Sequence, residues 1–273
     1  MGNSITLSFR QSLDNPVDLT GVVPDALEKL SEREIADLPV WVGRRKAALG
    51  DVCTVRGERS CDLHIEGQLT AVNGIGAGMH RGRVTVAGDP GRDVGRGMGG
   101  GLLEVDGSVG DGAGIALSGG RIKITGRAGD HLGGALPGAA RGMTGGEIIT
   151  GGSVGRGAGA SARRGLIVVG GDAGAGVAHA MIAGTVLVVG RVTGAVGQWN
   201  KRGSVVALAG ATIPATYRYA CTYRPVYLRV LLAYLRRSHG VTVEDRFTTG
   251  RYARHCGDLS ELGKGELLTW AGP

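Results

Sequence analysis

Gly82-Arg-Val-Thr-Val-Ala-Gly88, Gly101-Leu-Leu-Glu-Val-Asp-Gly107 and Gly120-Arg-Ile-Lys-Ile-Thr-Gly126 are three copies of one pattern, set 19 residues apart. Each opens on glycine, alternates aliphatic and other residues, and closes on glycine. The opening glycine continues as Gly146, Gly165, Gly184 and Gly203, again 19 apart, after one step of 26. The closing column runs Gly88, Gly107, Gly126, Gly152, Gly171, Gly190, and a third runs Gly91, Gly110, Gly129, Gly155, Gly174. All three columns shift together by the same seven residues, so the period belongs to a stacked supersecondary unit.

The residues two and four past the opening glycine are aliphatic almost throughout. They read Val84, Leu103, Ile122, Ile148, Ile167, Val186, Val205 and Val86, Val105, Ile124, Thr150, Val169, Val188, Ala207. Alternate residues of a strand share one face, so both columns point to a common interior. Short strands joined by glycine bends and stacked in parallel predict an all-β fold: a right-handed parallel β-helix of about seven to eight coils. Propeller blades need a longer period and leucine-rich repeats a different pattern. A hexapeptide β-helix does not fit, because 19 is not a multiple of six. Glycine at every third position, the collagen signature, is absent.

Outward from the repeat, residues 1–50 are expected to form a small α/β N-terminal cap, with a strand over Ile5–Phe9 and short helices over Pro24–Leu30 and Ser31–Leu38. Ser31 with Glu34 is a capping box, and Val40–Val42 reads as another strand. The β-helix is placed at 51–215, with Leu63 in the slot that Gly82 fills later. Residues 137–143 form the inserted loop, and 216–273 form a C-terminal helix and tail with a last strand near Glu266–Trp270. The outward column between the two inward ones changes character: Thr85, Glu104 and Lys123 give way to Ile149, Val168, Leu187 and Val206. Four stacked apolar residues pointing out need a cover. The segment Pro225–Gly240 supplies one, as a largely buried helix using Leu228, Leu231 and Leu235 either against that sheet or in an interface with another protein chain.

Composition narrows the functional classes. The chain has 273 residues, 53 glycines, 4% aromatics and a net charge of +7. Five lysines leave 26 arginines, and no basic run is interleaved with aromatics, which argues against nucleic acid. Cys53, Cys61, Cys221 and Cys256 form no CxxC pair. No signal peptide or membrane-length apolar run is present, so the expected compartment is the cytoplasm with free thiols, without a membrane. Met1-Gly2 with Thr6 formally matches a myristoylation pattern but precedes a strand. Gly95, Gly97 and Gly100 satisfy GxGxxG, yet the same glycines recur with the repeat and no strand–helix unit follows. The six histidines form no HExxH pair and are expected at the surface or in bends. No GxSxG elbow occurs, and two Phe and three Trp are too few for a sugar-binding groove. No catalytic or metal-binding residue is assigned. Asp89, Asp111, Asp130 and Asp172 are read as bend residues.

Four segments together resemble the C-type subunit of formylmethanofuran dehydrogenase: Gly76-Ala-Gly-Met-His-Arg-Gly-Arg-Val-Thr-Val-Ala-Gly-Asp89 with its copies, Arg141-Gly-Met-Thr-Gly-Gly146, Gly257-Asp-Leu-Ser-Glu-Leu-Gly-Lys-Gly-Glu266, and Pro39-Val-Trp-Val-Gly-Arg-Arg-Lys46. The glycine repeat alone is also similar to the C-terminal domain of glutamate synthase large subunits, where it would serve as a spacer. The insertion and both ends favour the C-type subunit. The resemblance implies a β-helical scaffold, non-catalytic itself, in a hetero-oligomer with subunits of types A, B and D. Two settings are implied. One is a bacterial formyltransferase/hydrolase that moves a formyl group from tetrahydromethanopterin to a methanofuran analogue and hydrolyses it to formate. The other is an archaeal molybdenum or tungsten formylmethanofuran dehydrogenase. The Arg-rich composition and the C-terminal ending favour the bacterial one. A reading of another class is a stand-alone β-helix carbohydrate-active enzyme. The resemblance implies no cofactor bound by this chain alone, with the methanofuran-type coenzyme and the catalytic metals in partner subunits. That coenzyme carries acidic glutamyl units, so Arg141, Arg163 and Arg164 are the candidate contacts to it.

Overall fold

The computed structural model describes residues 4–9 and 13–273. The Met1-Gly2 pattern lies outside the described residues. The N-terminal third contains β1 (Ile5–Phe9), β2 (Val17–Asp18), α1 (Pro24–Leu27), α2 (Glu32–Ala36), β3 (Pro39–Val42), β4 (Arg45–Ala48), α3 (Leu49–Val52), β5 (Thr54–Arg56), β6 (Asp62–Gly67) and β7 (Val72–Asn73). The repeat contributes β8 (Arg83–Ala87), β9 (Leu102–Asp106), β10 (Arg121–Ile124), β11 (Glu147–Thr150), β12 (Leu166–Val169), β13 (Thr185–Val188) and β14 (Ser204–Ala207). The chain ends with β15 (Arg218–Tyr223), α4 (Val226–His239), α5 (Asp245–Thr249), β16 (Arg251–Gly257) and β17 (Gly265–Gly272).

The protein is mostly β. A 13-stranded sheet runs β15-β16-β17-β14-β13-β12-β11-β10-β9-β8-β6-β1-β5, and a small sheet runs β4-β3-β2-β7. From β1 through β6 and β8 to β14 and on to β17, every neighbour in the large sheet is parallel. The register repeats the sequence period: Arg83 faces Leu102 and Leu102 faces Arg121, then Arg121 faces Glu147 across the insertion. A second ladder of single bridges, Val109–Ala128–Val154–Ala173–Val192–Ala211, keeps the same steps. From Gly101 onward each repeat therefore has one strand in the large sheet and one residue in the second ladder.

The first step differs from the expected one. Leu63 faces Val84, so this step is 21 residues and Leu63 is an inward core residue. The slot of Gly82 belongs to Cys61, whose carbonyl oxygen a Cβ at Gly82 would strike. Two extra residues are absorbed before the regular bends begin, and counting back from the glycines alone misses them.

Both inward columns are buried from Val84 and Val86 to Val205 and Ala207. The core is thin. A Cβ at Gly133 would lie 2.6 Å from Ile167 Cδ1 and one at Gly159 would lie 2.8 Å from Val186 Cγ2, and both glycines have positive φ (+63° and +68°). Glycine is required there twice over, for the backbone and for room opposite the strand row. Met79, Met98, Met143 and Met181 are buried at the corner before the strands, where a flexible thioether fills irregular space.

The bend aspartates bond between repeats instead of closing their own turns. Asp89 Oδ1 accepts from Ser108 N–H (2.6 Å), Asp111 Oδ1 from Asp130 N–H (2.7 Å), Asp130 Oδ1 from Arg156 N–H (2.7 Å) and Asp172 Oδ1 from Arg191 N–H (2.7 Å). They satisfy backbone donors where the strand ladder stops.

Ser31 caps α2 with the reciprocal Glu34 bond, and its hydrogen bonds hold the Glu34 carboxyl below the usual range. After β14 the chain runs through β15, α4, α5 and β16 before β17 pairs with β14, with Ser204 facing Glu266 and Leu267 continuing the inward row beside Val205. The expected tail is thus two strands, β16 and β17, with β17 extending the parallel ladder. Buried Asn200 accepts from Gly203 N–H (2.7 Å) and donates to Gly203 C=O (2.9 Å). The Asp258 carboxylate accepts from Trp199 N–H (2.8 Å) and Ser260 N–H (2.9 Å). Burial opposes its charge, but these bonds win and lower its pKa.

Candidate functional site

The outer row Ile149, Val168, Leu187, Val206 is buried in a second apolar cluster with Leu228, Leu232, Leu235, Phe247, Tyr252 and Leu268. Helix α4 runs over it from Pro225 to a left-handed C-cap at Gly240 (φ +67°). Leu231 packs only partly against the cluster, and Leu232 takes the central place. The helix is not largely buried. Its inner stripe is Leu228, Leu232, Leu235 and His239, whereas Val226 and Val230 stay 71% and 65% exposed. One sheet face covers one side of a helix, however apolar the other side is.

Where the apolar row ends, a polar knot closes the seam between α4 and the sheet. Glu147, at the start of β11, accepts from Tyr234 Oη (2.7 Å) and Arg121 Nε (2.9 Å), and Arg121 Nη2 reaches Tyr234 Oη (3.2 Å). His239 Nε2 lies 3.4 Å from Glu147 Oε2, and its side chain is 1% exposed. That nitrogen is buried without a hydrogen-bond partner. Burial first, then the positive Arg121 and Lys123, hold the imidazole below its ordinary pKa, against the pull of Glu147. The hydrogen bond to Glu147, with burial, raises the Tyr234 pKa. His239 is therefore a buried seam residue, not the surface or bend histidine expected. Its spacing on the inner stripe, four residues past Leu235, was the signal in the sequence. Open clefts flank the knot: one of about 400 Å³ lined by Lys123, Thr125, Thr150 and His239, and one of about 390 Å³ lined by Leu102, Arg121 and Glu147.

The three candidate arginines sit elsewhere. Gly142 N–H donates to Ser161 C=O and Arg163 N–H to Met143 C=O, each at 2.8 Å. The end of the insertion is thereby stitched to the bend of the next repeat. Arg141, Arg163 and Arg164 are exposed around this junction and carry no side-chain ion pair among the described residues. Arg141 is thus brought close in the backbone to Arg163 and Arg164, and none of the three is a side-chain partner in the Glu147 knot. Of the opening glycines, Gly82, Gly101, Gly120, Gly146, Gly165 and Gly184 have positive φ, and Gly203 does not.

Among the described residues no three His, Cys, Asp or Glu side chains gather as a metal site. The four cysteines are unpaired, and burial pushes the Cys53 thiol up to about 12, far from a reactive thiolate. Fold and site together define a mostly β repeat protein whose apolar outer row is covered by its own C-terminal helix.

Comparison with known proteins gives that class a family. No family model matches the chain. The C-type subunit of the formyltransferase/hydrolase complex Fhc from Methylorubrum extorquens is 38% identical over 87 residues, which is 32% of this chain and 33% of that protein. The aligned stretch thus spans about a third of the curated relative. The crystal structure of the FhcABCD complex from the same organism, with methylofuran, contains a chain that matches with a TM-score of 0.90 and 39% identity, covering 97% of this chain and 99% of that one. This chain belongs to the family of C-type subunits of formyltransferase/hydrolase complexes.

Proposed function

We propose that the chain is a non-catalytic structural subunit of a formyltransferase/hydrolase complex, working with partners of types A, B and D. The observation that carries this is the match along almost the whole chain to a component of such a complex. The curated relative and the solved complex described above are both of the formyltransferase/hydrolase kind, which favours that setting over the molybdenum or tungsten dehydrogenase. In this reading the chain serves transfer of a formyl group to a methanofuran analogue and its hydrolysis to formate, with the catalytic metals in partner subunits. We read the winding between the two ladders as a right-handed parallel β-helix, in keeping with the handedness of parallel crossovers. Its cap is residues 1–50, its body 51–215 and its closing segment 216–273. A cytoplasmic setting fits the four unpaired thiols. No helix among the described residues is long and apolar enough to cross a membrane.

The methylofuran in the matched complex supports a further element: Arg141, Arg163 and Arg164 hold or steer the acidic chain of the coenzyme. Affinity purification of the tagged chain from its own cells tests the main reading, and recovery of three different partner subunits is expected. A monomer with hydrolytic activity of its own would overturn it. For the arginines, the triple change Arg141→Glu, Arg163→Glu, Arg164→Glu in the assembled complex should weaken coenzyme binding about tenfold at low salt, with the difference shrinking at high salt. Unchanged affinity and salt dependence would remove them from the coenzyme's path.

A further inference from the structure

Helix α4 is apolar on two sides but covered on one. Leu228, Leu232 and Leu235 face the sheet, while Val226 and Val230 point away at 71% and 65% exposure, with exposed Ala233 next along the same stripe. A helix that is apolar around its circumference is normally buried on all sides. The exposed stripe is framed by Arg229 and Arg237 on the helix and by Arg224 just before it. None of these has a carboxylate partner among the described residues, and α4 contains no acidic residue. Arg236 is the exception, paired with Asp245 at 3.0 Å.

We infer that this outer stripe of α4 is the docking surface for another protein of the complex, one that presents an apolar strip edged with carboxylates. Charge selects the occupant. A second copy on a two-fold axis would bring the same patch against itself, setting unpaired arginines against arginines with no acid on the helix to relieve them. An acidic partner pairs the same arginines and lets the valines leave water. The inner stripe fixes α4 to a rigid parallel sheet, so the outer stripe is presented without a further cost of ordering the helix. The inference rests on the reading that the chain works in a heteromeric complex.

The test co-expresses the tagged full chain with its partner subunits. In Val226→Asp/Val230→Asp, recovery of the other subunits should fall about tenfold or more, while the thermal midpoint of the chain alone stays within about 2 °C of wild type. A photo-crosslinking residue at position 230 in the otherwise unchanged complex should attach to a different protein of the complex, which keeps the inference testable if the aspartates disturb folding. A crosslink to a second copy of this chain, or none, would overturn it. So would full recovery of partners by the double variant. If the wild-type chain recovers no partner, the heteromeric reading fails first. If wild type and variant both recover them, only the docking face fails.

Discussion

The two halves of the large sheet share one backbone and differ in one outward row. From β8 to β10 that row is Thr85, Glu104 and Lys123, half-exposed and left out of the apolar clusters. From β11 to β14 it is Ile149, Val168, Leu187 and Val206, sealed beneath α4 and α5. The parallel register and the inward columns carry on across the boundary, although the seven-residue insertion lengthens the bend there. The repeat therefore sets the scaffold and is indifferent to what lies on it, while a single outward position per repeat decides where additional chain packs. Each buried aliphatic side chain in that row contributes on the order of 1.5–3 kcal/mol, enough to fix a helix that is marginal alone. The boundary carries its own device. Arg121 on the last open strand and Glu147 on the first covered one pair across it, and Tyr234 and His239 close the seam from above.

The contrast is most exposed to the same change made in both rows. Leu187→Lys buries an unpaired ammonium under α4 and should cost more than about 4 kcal/mol in urea unfolding. Thr85→Lys sits beside Glu104 on the open half and should stay within about 1 kcal/mol of wild type. Equal losses would break the distinction between the halves.

A smaller effect should ignore the boundary altogether. Gly101 and Gly146 have φ of +83° and +81°, and a Cβ on either would lie 2.7 Å from the carbonyl oxygen of the preceding repeat's opening glycine, Gly82 or Gly120. Replacing either by Ala should cost about 2 kcal/mol, combining backbone strain with the close approach. The two losses should agree to within about 0.5 kcal/mol. A marked difference would mean that the cover also stiffens the bends beneath it.

The smallest effect belongs to the seam. Because the folded protein holds His239 below the ordinary value of 6.5, the unfolded chain binds the proton more readily. Its contribution to stability is intact above that value and is lost progressively as the pH falls from 6.5 toward the lowered folded value. The groups facing it are Glu147, Arg121, Lys123 and Tyr234. The slope of stability against pH through this window should flatten in His239→Gln, measured by urea titration at a series of pH values. An unchanged slope would remove the histidine from the seam's energetics.

The ladder was legible in the residues alone. A period of 19 with alternating aliphatic residues places equivalent residues side by side, so local pattern becomes contact. The inward columns, the outward switch and the capping box could be read directly for that reason. The family was legible as a resemblance, carried by the repeat, the insertion and the two ends. Three-dimensional packing was needed for the features that join distant parts of the chain without a periodic echo. These are the step of 21 that places Leu63 opposite Val84, the return of β17 beside β14, the one-sided burial of α4, and the meeting of His239 with Glu147. Periodic contacts repeat and so leave a mark in the sequence. A contact made once, between residues far apart, is chosen by packing among surfaces that exist only after the ladder has formed.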